Sequence, residues 1–163
     1  MKKLILNAFV AIAVLGTSSV YAETGNVQLL SGGIFMNTLS LDYGNGKSST
    51  SQARGVGKVL QSDVSFFQLG RISSFECIAT SSSDTNNQSG TSQCLVIDSD
   101  GDKLRQNFVR TEITPKLVKG TVELIGLTGK YSGATGTGTY EAQFLQGNGV
   151  TYVSNLVQMK VSK

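Results

Sequence analysis

Three observations in this 163-residue sequence predict an all-β protein folded as a single antiparallel closed barrel of about eight strands. Residues 134–144 alternate without a break. Ala134, Gly136, Gly138, Tyr140, Ala142 and Phe144 fall in one phase, and Thr135, Thr137, Thr139, Glu141 and Gln143 in the other, which describes a strand with one wet face. Turn signals recur at the short intervals of all-β chains, and no stretch beyond residue 22 reads as a helix. The phase that mixes glycine and alanine with aromatics is assigned to the interior, because small residues make room for large ones where a small barrel tapers. A β-sandwich is the alternative for the same strand count.

The chain opens with Met1-Lys2-Lys3, continues through a mostly apolar run over residues 4–15, and places small residues around Val20-Tyr21-Ala22. This is the pattern of a bacterial secretory signal peptide over residues 1–22, cut before Glu23, with residues 23–163 as one domain in the periplasm or secreted. The apolar run is interrupted by Asn7 and falls short of the roughly 20 residues a membrane span needs, so no membrane span is expected.

Without Lys2 and Lys3 the chain holds 12 basic and 11 acidic residues, which gives no reason to expect nucleic acid or an anionic membrane as a partner. There is no histidine. That excludes a Ser-His-acid triad, a Cys-His dyad and histidine-based zinc sites, so no metal or cofactor is assigned, and any catalysis would rest on carboxylates, Tyr, Lys or Arg.

In chain order, residues 26–30 and 34–43 read as two strands, the second with Leu39, Leu41 and Tyr43 on one face. Residues 44–54 are polar, contain glycine and lack a period, which marks an exposed loop. Residues 56–69 fit either a strand pair or a helical turn, and their β-branched and aromatic content favours strand. Residues 71–80 alternate Ile72, Ser74, Glu76 and Ile78 against Ser73, Phe75, Cys77 and Ala79, and residues 81–92 form a Ser/Thr/Asn-rich loop. Within that loop Asn87-Gln-Ser89 matches a glycosylation pattern that a bacterial-type leader makes irrelevant.

Residues 94–98 and 103–110 flank Ser99-Asp-Gly-Asp102, where Asp-Gly suits the positive φ of a type I′ hairpin turn. Residues 111–118, around the single proline Pro115, form a connection. Residues 119–127 are apolar on both phases, with Glu123 inserted, which makes this strand a candidate homo-oligomer contact. Gln146-Gly-Asn-Gly149 is a hairpin turn, and residues 150–161 alternate again with Val153, Asn155, Val157, Met159 and Val161 on one face.

Cys77 and Cys94 are the only cysteines. In an exported chain a disulfide is the preferred reading, closing a loop worth roughly 3 kcal/mol in the chain-entropy model. Metal binding and thiol catalysis are the alternatives. The spacing is too wide for a redox pair, and two cysteines without histidine make a poor metal site. Asp98, Asp100 and Asp102 suggest calcium, but an EF-hand loop needs Gly at its sixth position and Glu at its twelfth. Gly101 stands fourth and Val109 twelfth, so a hairpin turn is preferred and a weak surface ion stays open.

Residues 128–133, TGKYSG, carry two glycines that take positive φ without steric cost, which predicts a tight corner before the long strand. A phosphate loop would need Gly where Leu124 stands and Ser or Thr where Tyr131 stands.

Two stretches, CLVIDSDGDK over residues 94–103 and LTGKYSGATGTGTY over residues 127–140, resemble the small bacterial secreted proteins grouped with the allene oxide cyclase and dirigent barrels. The resemblance covers roughly residues 77–144. It implies an eight-stranded antiparallel barrel with an apolar cavity, trimers in plant members, and hydrophobic small molecules as ligands or as substrates of cyclisation and coupling. No catalytic residue of that group maps onto a particular position here.

Three functions follow. The first is a binding module for an apolar or amphipathic small molecule, with Phe108, Tyr140, Phe144 and Met159 as apolar lining and Gln106 and Asn155 as polar guides. The second is a cyclase or isomerase using an interior carboxylate, for which Glu76, Glu123 and Asp42 share faces with apolar residues and Glu141 does not. The third is a structural or interaction protein with a filled barrel.

Overall fold

The computed structural model describes residues 22–84, 88–114 and 117–163, apart from the Asn37 side chain. Residues 1–21 of the expected leader, Asn87 of the glycosylation pattern and Pro115 lie outside the described residues. Eight strands follow in chain order: β1 Thr24–Asp42, β2 Gly46–Ser62, β3 Ile72–Asp84, β4 Gln88–Asp98, β5 Lys103–Ile113, β6 Leu117–Gly126, β7 Thr135–Gly147 and β8 Val150–Ser162. Each pairs antiparallel with the next. β8 returns to β1, from Thr24 opposite Ser162 to Phe35 opposite Thr151, and closes the barrel. Closure gives every strand a partner on both sides over most of its length.

The alternation of β7 and β8 reads as expected. Tyr140, Ala142, Val157, Met159 and Val161 are buried, while Thr135, Thr137, Thr139, Glu141 and Gln143 face out. Glycine clears space where an aromatic ring lies across a neighbouring strand. Gly33 and Gly55 stand opposite each other under Phe75, and a Cβ on either would come within 2.8 Å of the ring. Gly120 stands opposite Tyr140, and a Cβ there would meet the Tyr140 ring at 2.7 Å and the Val109 carbonyl oxygen at 2.0 Å.

The hairpins β1–β2, β3–β4, β5–β6 and β7–β8 gather at one end of the barrel, and the remaining connections at the other. The second end is plugged. Residues 63–71 leave the sheet there and bury Val64, Phe66 and Phe67, with the Phe67 ring 5.0 Å from Tyr131. The hairpin end, which carries no comparable plug among the described residues, is called the mouth.

Several sequence expectations are corrected. The two expected strands form one, Thr24–Asp42, because Gly32 and Gly33 continue the ladder, and its register shifts fall between Gln28 and Leu29 and between Met36 and Leu39. Residues 46–54, 81–84 and 88–92, expected as loops, lengthen β2, β3 and β4. Hydroxyl pairs across strands, such as Ser49 with Ser81 at 2.7 Å, Thr80 with Thr91 at 3.0 Å and Ser82 with Ser89 at 2.8 Å, substitute for apolar contacts. Residues 56–69 divide between β2 and the plug.

β6 is apolar inside through Val118, Val122 and Leu124, but its outer face shows Thr121 and Glu123. The Asp-Gly turn is not type I′, since Gly101 has a positive φ of 86° and Asp100 does not. The Gly101 N–H donates to the Asp98 carbonyl and the Asp98 N–H to the Asp102 carbonyl, both at 3.0 Å, which gives a longer loop ending in a left-handed glycine. The type I′ geometry appears instead at Asn148 and Gly149, with φ of 52° and 75°.

Candidate functional site

The inward phases of the strands enclose a cavity of about 110 Å³. Its wall is mostly apolar and aromatic, with Lys58, Arg71, Asp98 and Arg110 as its charged members. Phe108 and Tyr140 meet edge to face with ring centres 5.0 Å apart, and Phe35 and Phe144 lie 5.9 Å apart. The Cys77–Cys94 disulfide joins residues directly opposed on β3 and β4, with Cα atoms 4.0 Å apart, and both residues contribute to the wall. No free cysteine is present, so the thiol and metal alternatives for this pair fall away.

Apart from the Arg71 guanidinium, which is ion-paired with Asp98 and Asp100, two buried polar atoms in this wall have no hydrogen-bond partner, the Gln106 amide nitrogen and the Asn155 amide oxygen. Gln106 is only 6% exposed. Leaving such a group unpaired costs about 1–3 kcal/mol, so native interiors rarely tolerate it without a reason. One is a donor and the other an acceptor. A molecule in the cavity with one group of each kind would satisfy both.

Nearer the mouth, β5 turns Arg110 inward, in phase with Leu104, Gln106 and Phe108. A bulge between Arg110 and Glu112 then shifts the strand's register. Across the bare Gly120, Arg110 donates to the Tyr140 hydroxyl, while its guanidinium lies over Gly90, where a Cβ would come within 3.0 Å of it. Burial pushes the Tyr140 hydroxyl pKa up, and the charge and hydrogen bond of Arg110 oppose that rise.

At the plugged end Asp98 is buried and fully engaged. Its Oδ1 accepts the N–H groups of Asp100 at 2.8 Å and Asp102 at 3.1 Å, and its Oδ2 accepts the Tyr131 hydroxyl at 3.1 Å. Lys130 forms ion pairs with Asp98 and Asp100, and Arg71 pairs with Asp100 and lies 3.7 Å from Asp98. Burial works to raise the Asp98 carboxyl pKa, but the Lys130 bond and charge, the Asp102 N–H and the Tyr131 hydroxyl outweigh it and hold the pKa below the usual range. Burial and the adjacent Asp98 charge push the Tyr131 hydroxyl pKa up. The carboxylates of Asp98, Asp100 and Asp102 lie within 4.8 Å of one another, but two side-chain cations already occupy the position a metal would need. The cluster therefore ties the β4–β5 turn to the plug and to the corner after β6.

Of the expected binding residues, Gln106, Phe108, Tyr140, Phe144 and Asn155 come together around the cavity. Met159 is buried but sits outside the lining. Glu76, Glu123 and Asp42 are all exposed, and none enters the interior. Glu76 pairs with Arg54 at 3.1 Å on the outer wall. Sequence reasoning missed Arg110, Phe35, Phe75 and the Asp98 group as lining. For Arg110 a signal existed, since extending the β5 alternation one step past Phe108 points it inward.

No family model matches the sequence, and no curated protein matches it. Among solved structures, the chain is similar to a conserved protein of unknown function from Rhodopseudomonas palustris, at 11% identity and a TM-score of 0.49, over 84% of this chain and 97% of that one.

Proposed function

We propose that this chain is an exported barrel that holds a small amphipathic molecule in its interior. The observation that carries the reading is the pair of unpartnered polar atoms, Gln106 Nε2 and Asn155 Oδ1, lining a mostly apolar cavity whose charged residues, Arg71, Asp98 and Arg110 among them, stand elsewhere in the wall. A barrel that was merely filled would gain stability from apolar side chains at both positions, so their retention is best explained by a ligand that pairs with them. An engineered apolar cavity of about 150 Å³ takes one benzene molecule, so a body of about five or six carbons is the right scale here.

Export rests on the basic, apolar and small-residue order of the first 22 residues, and it accords with the disulfide. The likeness to the allene oxide cyclase and dirigent barrels accords with binding of hydrophobic molecules. Between that group's two properties we take binding over cyclisation, because Glu76, Glu123 and Asp42 stand on the outside.

Native mass spectrometry of the protein isolated from the cells that produce it tests the reading. A retained small mass that leaves on denaturation is expected. A bare chain that also takes up none of a panel of five- to seven-carbon alcohols, amides and acids would exclude it.

A further inference from the structure

Resting on that reading of the cavity, we infer that its mouth is an anion subsite: Arg110, with the Tyr140 hydroxyl, receives the carboxylate of a short monocarboxylic acid whose apolar body lies below, beside Phe108 and the Tyr140 ring.

An inward arginine in a barrel wall is costly unless something balances it. The ion pairs among the described residues join Arg54 to Glu76, Arg71 to Asp98 and Asp100, Lys119 to Glu141, and Lys130 to the Asp98 group, and none includes Arg110. Its neighbours at the mouth are neutral. Gly90 and Ser92 stand on β4 and Tyr140 on β7. The bulge that follows Arg110 shifts the ladder by one residue, so that Glu112 falls opposite Lys119 and Ile113 opposite Val118. Val118 points inward and Glu112 is exposed, so the carboxylate nearest in sequence turns away from the guanidinium.

The placement matches an acid with a short tail. Arg110 and Gln106 are four residues apart on one inward phase, so their Cα atoms are separated by roughly 13 Å of strand. Phe108 stands between them, edge to face with Tyr140, and supplies an aromatic wall for the body of the ligand. Gln106 Nε2, buried and unpaired, can donate to an acceptor carried deeper on the same molecule. A planar guanidinium presents its N–H groups as a fork that fits a carboxylate, which an alcohol cannot exploit. The plug of Phe67 and Tyr131 beneath the cavity limits the length of the tail.

The test compares hexanoate with hexan-1-ol by isothermal titration on residues 23–163 with the disulfide intact, for the wild type, Arg110→Gln, Arg110→Lys and Tyr140→Phe. Far-ultraviolet circular dichroism confirms that each variant is folded. The expected result is at least a tenfold preference for hexanoate in the wild type. It should be abolished in Arg110→Gln, retained in part in Arg110→Lys, and reduced in Tyr140→Phe. Equal binding of the two probes by the wild type, or a preference that survives Arg110→Gln, overturns the anion subsite while leaving the cavity a binding site. Binding of neither probe overturns both the subsite and the binding reading beneath it.

Discussion

The Tyr131 hydroxyl donates to Asp98 Oδ2 at 3.1 Å, and this bond joins the two most distinctive stretches of the sequence into one structural unit. Asp98 ends β4 and Tyr131 lies in the 3-10 turn Gly129–Tyr131 after β6. Lys130, beside Tyr131, completes the unit through its ion pairs to Asp98 and Asp100. Gly129, with a φ of 56°, permits the corner, and a Cβ there would strike the Asp102 carboxylate.

Breaking this unit from one side should expose its cost. Asp98→Asn leaves Lys130 and Arg71 facing an uncharged group and is expected to destabilise the barrel by about 3 kcal/mol. Tyr131→Phe removes one bond to a charged acceptor and should cost about 2 kcal/mol. Urea denaturation of both variants measures the difference.

The same carboxylate sets an acid limb of stability. Its folded pKa lies below the ordinary aspartate value, so it contributes stability that is fully present above about pH 4 and is lost as pH falls through the lower folded value. Tyr131 has the opposite sign. Its raised folded pKa makes stability decline as pH rises above about 10. Thermal midpoints across the pH range should fall at both ends, and Asp98→Asn should flatten the acid limb.

Gly120→Ala is expected to destabilise by about 1–3 kcal/mol, since the added methyl meets the Val109 carbonyl and the Tyr140 ring in a packed wall. It should also displace the Tyr140 hydroxyl from Arg110, which shows as an altered Tyr140 signal in the nuclear magnetic resonance spectrum. Reducing the Cys77–Cys94 bond should cost roughly 3 kcal/mol, read from the denaturation midpoint with and without reductant.

Alternation, turn chemistry and the cysteine pair made the barrel legible in the sequence, because each is a local consequence of strand geometry. β7 and β8 were clear because apolar and polar residues separate cleanly by phase. The serine-rich arms of β2, β3 and β4 were not, since a strand held by hydroxyl pairs such as Ser82 with Ser89 has the composition of a loop. The plug was hidden for another reason. Val64, Phe66 and Phe67 lie too irregularly for a strand, and only their place across the barrel's end explains their burial. For the site, phase alone placed Gln106, Phe108, Tyr140, Phe144 and Asn155 correctly inside. It misjudged the carboxylates, because sharing a face with Ile72 and Ile78 did not put Glu76 indoors. Both isoleucines are themselves exposed.

The central claim is that Gln106 and Asn155 are kept unpaired for a ligand at the expense of stability. The most direct measurement is therefore the stability and ligand retention of Gln106→Met, Asn155→Leu and the double variant, by thermal denaturation and native mass spectrometry on the same samples. The account predicts that each substitution raises stability by about 1 kcal/mol, as an unsatisfied polar atom is replaced by an apolar group of similar shape, while the retained small mass is lost. Variants that are less stable than the wild type and keep the bound mass would contradict it.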